Sequence, residues 1–183
     1  MNYKVYDCKN PIPDEYFEKV YSLLERSLPQ IEMRTKGDQK ALISNEKYKI
    51  LVAEKGNIFA GFMAIWDFEK FCFLEHFAVK PDMRSNGVGS EILRHLKKIS
   101  DKKIILEVEP PEFSDYAQRR IGFYARNEFL YNDFEYFQPP LQKGADIIPL
   151  KIMSHPTSLT EDEFNHIRKT LYGEVYNFSK RLD

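Results

Sequence analysis

The chain has 183 residues and almost no net charge, with 27 Lys and Arg against 28 Asp and Glu. This length is usual for one domain, and a hydrophobic fraction of 43%, rich in Phe and Tyr, can fill a sizeable core. The balanced charge gives no sign of the basic surface that nucleic acid binding demands. We therefore expect a single domain over residues 1–183 and no nucleic-acid partner.

The cysteines and the N-terminus indicate the setting of the protein. Cys8 and Cys72 lie far apart, without CxxC spacing or nearby histidine pairs, which predicts neither a metal site nor a disulfide framework. The polar N-terminus lacks an apolar signal region, and nowhere do about 18 apolar residues run together as a membrane span needs. We expect a cytoplasmic protein without a metal or a membrane partner.

The first half of the chain is predicted to form helix and then β-meander. After a short strand-like start, apolar residues at helical spacings predict a helix over 14–28. The polar stretch 32–47 is either a second short helix or a mobile connection. Turn-like segments then separate three predicted antiparallel strands, 49–54, 58–67 and 71–79.

The second half alternates helices and strands. The pattern predicts a helix over 87–100, a buried strand over 104–108, a helix over 114–126 and a strand over 129–137. The apolar run 147–153 can pair with that last strand as an antiparallel hairpin. A final amphipathic helix begins with Thr160 and Glu163 in capping-box spacing and continues to Phe178.

The segment 77–90 is the most informative, because a hydrophobic strand ends in a Gly-bearing turn that runs straight into an amphipathic helix. Glycine lets a backbone approach a ligand closely, and the free N–H groups at a helix N-terminus, with the positive end of the dipole, receive phosphate oxygens. The turn therefore suits a pyrophosphate. A tight turn without a ligand fits the same local pattern, and both interpretations stay open.

Two motifs resemble one family. Val79-x-Pro81, followed by Arg84-x-x-Gly87-x-Gly89, resembles the coenzyme A signature of the GNAT superfamily of acyl-coenzyme A N-acyltransferases. Downstream, residues 105–108 and 119–129 are similar to that superfamily's strand, helix and Phe-Tyr-x-x-x-Gly-Phe element. The resemblance implies an α/β fold with a mixed, mostly antiparallel central sheet flanked by helices, a core over about 3–153 and a C-terminal helical extension over 158–183.

The sequence departs from the family pattern at three points. Ser85 stands where many members carry Gly, although it still offers its backbone N–H and adds a hydroxyl donor. Glu128 replaces the Gly that usually precedes the final Phe of the second element, which leaves open whether that turn uses a positive φ angle. The Asn common near the start of the second helix is not evident, so its cofactor contacts are not carried over.

The resemblance implies that acetyl-coenzyme A binds as the acyl donor. The main chain of Phe77, Ala78 and Val79 would pair with the pantetheine as an added strand does. Backbone amides would hold the pyrophosphate; they belong to Arg84, Ser85, Asn86, Gly87, Val88, Gly89 and Ser90. The Arg84 side chain either also meets a phosphate oxygen or is a solvated surface charge.

Two residues are predicted to be catalytic. An attacking amine must be neutral, and Glu75, on the same predicted strand face as Val79, is the candidate base, directly or through water. Its apolar neighbours could raise its pKa, while the alternative is an exposed or salt-bridged strand carboxylate. By resemblance, the Tyr124 hydroxyl donates to the leaving sulfur; the alternative is an aromatic residue packed in the helix interface. Strand alternation points His76 to the face opposite Glu75.

The sequence thus predicts an N-acetyltransferase that moves an acetyl group from acetyl-coenzyme A to a primary amine by direct attack, without an acyl-enzyme. A small-molecule amine is the favoured acceptor, and a peptide amine remains possible, because the mixed charges of 32–47 define no pocket for either. The main alternative is a non-catalytic acyl-coenzyme A binding or sensor domain. A third is a structural domain in which the glycines merely turn the chain.

Overall fold

The computed structural model describes residues 1–142 and 144–178. Its described residues contain seven strands and five α-helices, which is the mixed, mostly antiparallel α/β class that the sequence predicts. Residues cluster in a first compact unit, Met1–Leu106, and a second unit that begins at Glu107. The single-domain organisation stays a prediction, and each unit is described by itself.

The first unit is a sheet with three helices. Its elements, in chain order, are β1 (Asn2–Tyr6), α1 (Asp14–Glu25), α2 (Lys36–Ala41), β2 (Tyr48–Lys55), β3 (Ile58–Asp67), β4 (Phe71–Val79), α3 (Val88–Ile99) and β5 (Lys103–Val108), whose end lies in the second unit. Short 3₁₀ turns occupy Gln30–Glu32, Leu42–Ser44 and Pro81–Met83.

The strands of this unit pair as the predicted antiparallel meander. β1 pairs with β2, β2 with β3 and β3 with β4, each antiparallel. The β2–β3 turn consists of Gly56 and Asn57, which both have positive φ, as a two-residue type I′ hairpin requires. β4 and β5 are parallel, and their pairing runs from Phe71 opposite Lys103 to Leu74 opposite Leu106.

The hydrophobic core of this unit explains why the sequence patterns are so clear. β2 and β3 are buried over most of their lengths, so they have near-continuous apolar runs rather than alternation. α1 and α3 each bury one face and expose the other, as amphipathic helices do. Ile92, Leu93 and Leu96 on α3 are almost fully buried.

The second unit pairs a hairpin with two helices. Its elements are α4 (Asp115–Arg126), β6 (Leu130–Gln138), β7 (Ile148–His155) and α5 (Glu161–Thr170), followed by a π-helical turn over Leu171–Val175. β6 and β7 are antiparallel, which confirms the hairpin with a long connection. Ser114 caps α4 by accepting a hydrogen bond from the Ala117 N–H.

Some predicted boundaries need correction. α1 ends at Glu25 rather than Leu28, and the 32–47 segment contains the short helix α2, which Thr35 caps. The capping box of Thr160 and Glu163 is confirmed, but the last helix changes to a π turn after Thr170. The predicted extension over 179–183 lies outside the described residues. None of the helices in the described ranges combines the length and the apolar composition that crossing a bilayer requires.

Candidate active site

The end of β4 carries a backbone edge that suits an extended ligand. On one side, Phe77, Ala78 and Val79 pair with Met63, Phe62 and Gly61 of β3. On the other side, within the described residues, pairing with β5 stops at Leu74. The backbone groups beyond Leu74 therefore have no strand partner from β5, and an extended chain with amide groups can pair there by β-augmentation.

Gly61 sets how closely β3 approaches this edge. A Cβ atom at Gly61 would lie 2.5 Å from the Ala78 carbonyl oxygen and 3.2 Å from the Val79 Cα. Those atoms are backbone, so a side chain at Gly61 could be accommodated only by moving the strand. Gly61 therefore fixes the position of the segment that the sequence predicts to hold pantetheine.

The turn after β4 has two residues in the left-handed region. Ser85 has φ of 64° and Gly87 has φ of 74°, and residues 84–87 are exposed. A left-handed conformation is ordinary for Gly and costly for Ser, which explains why Gly is common at the Ser85 position in the family. The departure noted in the sequence is therefore a strained residue in an otherwise matching turn.

The N-terminus of α3 is open. Gly87 precedes the helix without a side-chain cap from any described residue, and a Cβ built there would meet nothing within 4 Å. The first N–H groups of the helix, from Val88 to Ser90, thus face open space with the positive end of the helix dipole. This cradle of backbone donors, with room above it, fits a pyrophosphate.

Arg84 folds back onto β4 instead of pointing away from the protein. Its Nε donates to the Val79 carbonyl oxygen at 2.9 Å, and its Nη2 donates to Ser27 Oγ at 3.4 Å. The side chain remains exposed, so its positive charge stays at the mouth of the turn. Arg84 thereby ties the phosphate-type turn to the strand that precedes it.

Glu75 lies in a buried polar cluster. Its Oε1 accepts a hydrogen bond from Arg34 Nη1 at 2.5 Å, and its Oε2 accepts one from Trp66 Nε1 at 3.0 Å. The two charged side chains are only 6% and 3% exposed. Burial acts to raise the pKa of Glu75, but Arg34, His76 and the hydrogen bonds outweigh it and hold that pKa below its usual value. The suggestion that apolar neighbours raise the pKa is therefore wrong.

A β-bulge at Glu75 changes the expected side-chain directions. His76 pairs with Ala64 of β3, and Leu74 pairs with Ile65, so Glu75 is an extra residue without an opposite partner. The His76 Nδ1 consequently lies 3.8 Å from Glu75 Oε2. The predicted opposite orientation of these two side chains is wrong, because a bulge interrupts the twofold alternation on which it depended.

Tyr124, in the second unit, is 4% exposed and sits near the end of α4. Its ring meets Phe123 and Phe129 edge-on, with centroids 5.3 and 5.8 Å apart. The described hydrogen bonds give its hydroxyl no partner. A buried Tyr hydroxyl normally has one, so this hydroxyl is available to a ligand.

The turn after α4 answers the question that Glu128 raised. Glu128 has φ of 68°, so the turn uses the left-handed conformation although the residue is not Gly. The backbone closes in the usual way for a helix C-terminus, with the Glu128 and Phe129 N–H groups bonded to Ala125 and Tyr124 carbonyl oxygens. The second family element therefore keeps its geometry despite the substitution.

Sequence reasoning missed two residues of the first unit, Gly61 and Arg34. An isolated glycine inside a strand pattern is a recognised sign of close backbone approach, and Gly61 fits that sign. Arg34 gave no signal, because its partner Glu75 is 41 residues away along the chain.

Comparison with known proteins follows from this geometry. The profile of the acetyltransferase (GNAT) family matches residues 17–129, more than half of the chain. The chain belongs to the GNAT acetyltransferase family. This confirms the resemblance drawn from the two motifs, and it makes the protein an acyl-coenzyme A N-acetyltransferase.

Relatives of this GNAT protein agree with the assignment. YjbC of Bacillus subtilis (strain 168), named as an acetyltransferase, is 26% identical over 160 residues, which are 86% of this chain and 81% of YjbC. A Bacteroides thetaiotaomicron structure named as a GNAT acetyltransferase has a TM-score of 0.89 at 29% identity, over 98% of this chain and 100% of that one. An aminoglycoside 6'-N-acetyltransferase complexed with coenzyme A has a TM-score of 0.59 at 16% identity, over 84% and 97% of the two chains, and shows the fold alone.

Proposed function

We propose that this GNAT protein transfers an acetyl group from acetyl-coenzyme A to a primary amine by direct attack. The observation that supports this best is the succession of an unpaired β4 edge, a turn with two left-handed residues and an uncapped α3 N-terminus. A pantetheine arm and a pyrophosphate are joined in coenzyme A in that same order. The three features therefore match consecutive parts of one ligand.

The donor is bound chiefly by backbone. Phe77, Ala78 and Val79 offer N–H and C=O groups to the pantetheine amides, and the amides of 84–90 receive the pyrophosphate. Arg84 adds positive charge without leaving its bond to the Val79 carbonyl oxygen. Backbone recognition of this type makes the donor site tolerant of side-chain changes and sensitive to changes in main-chain geometry.

The transfer step needs an uncharged amine and a stabilised thiolate. The amine nitrogen forms the new C–N bond to the carbonyl carbon, the C–S bond breaks, and the sulfur leaves with the electron pair. The hydroxyl of Tyr124 donates a hydrogen bond to that sulfur as its charge develops. The Glu75 carboxylate is the base that the sequence predicts, although its two oxygens already serve Arg34 and Trp66.

The acceptor is an amine of a class that remains to be found by experiment. A small-molecule amine is our preference, as in the coenzyme A-bound relative that is named an aminoglycoside 6'-N-acetyltransferase. A peptide amine is the competing class. A panel that contains an aminoglycoside, a polyamine, lysine and a peptide with a free N-terminus separates the two.

The experiment is calorimetric titration with acetyl-coenzyme A, run on the wild type and on Gly87→Trp. We expect the variant to lose binding, because an indole at this φ of 74° fills the space above the helix N-terminus. Gly144→Trp is the matched control: Gly144 also has positive φ, 83°, and no atoms within 4 Å of its added Cβ. Equal affinity in all three folded proteins would contradict the proposed donor site.

Catalysis is tested by release of free thiol on addition of the amine panel. An enzyme releases coenzyme A with at least one amine, whereas a non-catalytic binding or sensor domain only gains thermal stability from the cofactor. A wild-type protein that neither binds acetyl-coenzyme A nor releases thiol would overturn the proposed function.

A further inference from the structure

Glu107 is held by two tyrosines of the second unit. Tyr136 donates its hydroxyl hydrogen bond to Glu107 Oε1, and the Tyr176 hydroxyl lies 2.8 Å from Oε1 and 2.7 Å from Oε2. Tyr136 comes from β6, whereas Tyr176 follows the π turn of the C-terminal extension, 69 residues after Glu107. The extension, outside the common core of the fold, thus contributes a side chain to a carboxylate on β5.

One side of this carboxylate is held while the residue remains partly accessible. Glu107 is of intermediate exposure, whereas Tyr136 and Tyr176 are 2% and 8% exposed. Glu75 contrasts with it, since its side chain is only 3% exposed and both oxygens are bonded to Arg34 and Trp66. Of these two carboxylates, Glu107 is therefore the one that an external amine can reach.

The place of Glu107 along its strand also points to a ligand. It comes directly after Leu106, the last residue of β5 that pairs with the parallel strand β4. In open α/β sheets, ligands bind outside the carboxyl ends of parallel strands, where neighbouring strands part. Glu107 occupies that position on β5.

The extension is built to deliver Tyr176. Its helix α5 packs Phe164 onto Phe134 of β6, with ring centroids 4.3 Å apart. The π turn closes with the Tyr176 N–H bonded to the Leu171 carbonyl oxygen at 3.0 Å. Single π turns are rare and frequently mark functional sites, because they change the direction of the side chains that follow.

We propose that Glu107 is the base that takes a proton from the acceptor ammonium, and that Tyr176 of the C-terminal extension is its positioning residue. The proposal rests on the proposed function. In the step, an N–H bond of the ammonium breaks and an O–H bond forms on Glu107. The freed lone pair attacks the thioester carbonyl, the thiolate leaves and gains the second amine proton, and Glu107 returns its proton to water.

The tyrosines set when Glu107 can act. The titratable groups that face it are the phenols of Tyr136, Tyr172 and Tyr176. Burial first, and then the Glu107 charge, raise the pKa of Tyr136, so this phenol stays a donor. Hydrogen bonds to a carboxylate favour its ionised form, and loss of one raises its pKa.

The experiment measures kcat/KM against pH for wild type, Glu107→Gln, Tyr176→Phe and Tyr172→Phe. We expect Glu107→Gln to lower kcat on the order of 100-fold or more with acetyl-coenzyme A affinity unchanged. Tyr176→Phe should move the acid limb of the profile to higher pH. Tyr172→Phe is the matched control, because its hydroxyl lies in the same extension but donates to the Phe137 carbonyl oxygen.

Each outcome decides the proposal. Turnover of folded Glu107→Gln close to wild type, or an acid limb that Tyr176→Phe leaves in place, overturns it. An equal shift in the two tyrosine variants also does so, since that would reflect general loosening of the extension. Melting temperatures identify a folding defect, and Glu107→Gln keeps the shape of the side chain. Failure of the wild type to bind acetyl-coenzyme A or release thiol would instead reject the proposed function itself.

Discussion

Arg34 and Glu75 form a buried ion pair, with 2.5 Å between Nη1 and Oε1, that joins the segment after α1 to the bulge of β4. Both side chains are almost fully buried. A buried pair of this kind contributes little when compared with an apolar pair, but removal of one partner leaves a charge without compensation.

Arg34→Met should therefore lower the free energy of unfolding by about 3–5 kcal/mol. Urea unfolding at neutral pH measures this. The control is Lys36→Ala, since the Lys36–Glu18 pair is 50% and 60% exposed and should contribute at most about 1 kcal/mol. Adding Glu75→Gln to Arg34→Met should recover much of the loss, and a double variant no more stable than Arg34→Met would contradict the buried-charge explanation.

Glu75 should also make stability depend on acid. Its pKa is lower in the folded protein than in the unfolded chain, so its contribution is complete above the unfolded value of about 4.3 and disappears as pH falls through the folded value. Unfolding free energy measured from pH 7 to pH 3 should fall more steeply for wild type than for Glu75→Gln. Parallel curves would show that Glu75 does not titrate differently in the two states.

Gly61→Ala should disturb the donor site through the backbone alone. The new Cβ would lie 2.5 Å from the Ala78 carbonyl oxygen, so β3 and β4 must separate. We expect lower stability and at least tenfold weaker acetyl-coenzyme A binding by calorimetry, a change of about 1.4 kcal/mol. Gly37→Ala is the control, because nothing lies within 4 Å of its added Cβ and a helical Ala is favoured by about 0.5–1 kcal/mol.

Ser85→Gly and Glu128→Gly should both stabilise the protein. The native residues have φ of 64° and 68°, a conformation that costs about 1–2 kcal/mol for a residue with a Cβ. The greater freedom of Gly in the unfolded chain removes part of the gain, so we expect up to about 1 kcal/mol in chemical unfolding. Gly87→Ala, at φ of 74°, should change stability in the opposite direction. A destabilised Ser85→Gly would mean that the hydroxyl contributes more than the strain costs.

Cys72→Ala should retain turnover, since direct attack needs no protein nucleophile. Cys72 is buried, and burial, assisted by Asp67, raises the pKa of its thiol to about 12, so it is protonated at neutral pH. Steady-state thiol release checks this. Loss of turnover with acetyl-coenzyme A binding intact would indicate an acyl-enzyme on Cys72.

Tyr124→Phe should lower kcat on the order of 100-fold while leaving acetyl-coenzyme A affinity nearly unchanged, because its hydroxyl is used only as sulfur charge develops. Tyr116→Phe on the same helix is the control, since Tyr116 is 53% exposed. Equal kcat in these two variants would favour the packing role for Tyr124.

Local sequence patterns predicted the fold well where residues interact with near neighbours. The strands over 58–67 and 71–79 have the predicted bounds, because turn residues interrupt their apolar runs. The prediction for Glu75 and His76 failed at the same level: a bulge exists only when β3 is paired with β4, so strand alternation alone could not reveal it.

The sequence by itself determined the helices and strands, the capping box of Thr160 and Glu163 and the turn with Gly87, since each depends on residues within a few positions of one another. Tertiary structure alone decided that Arg34 neutralises Glu75 and that Tyr176 holds Glu107. These partners are 41 and 69 residues apart. The packing of the core brings them together, and no local spacing encodes which distant donor reaches which carboxylate.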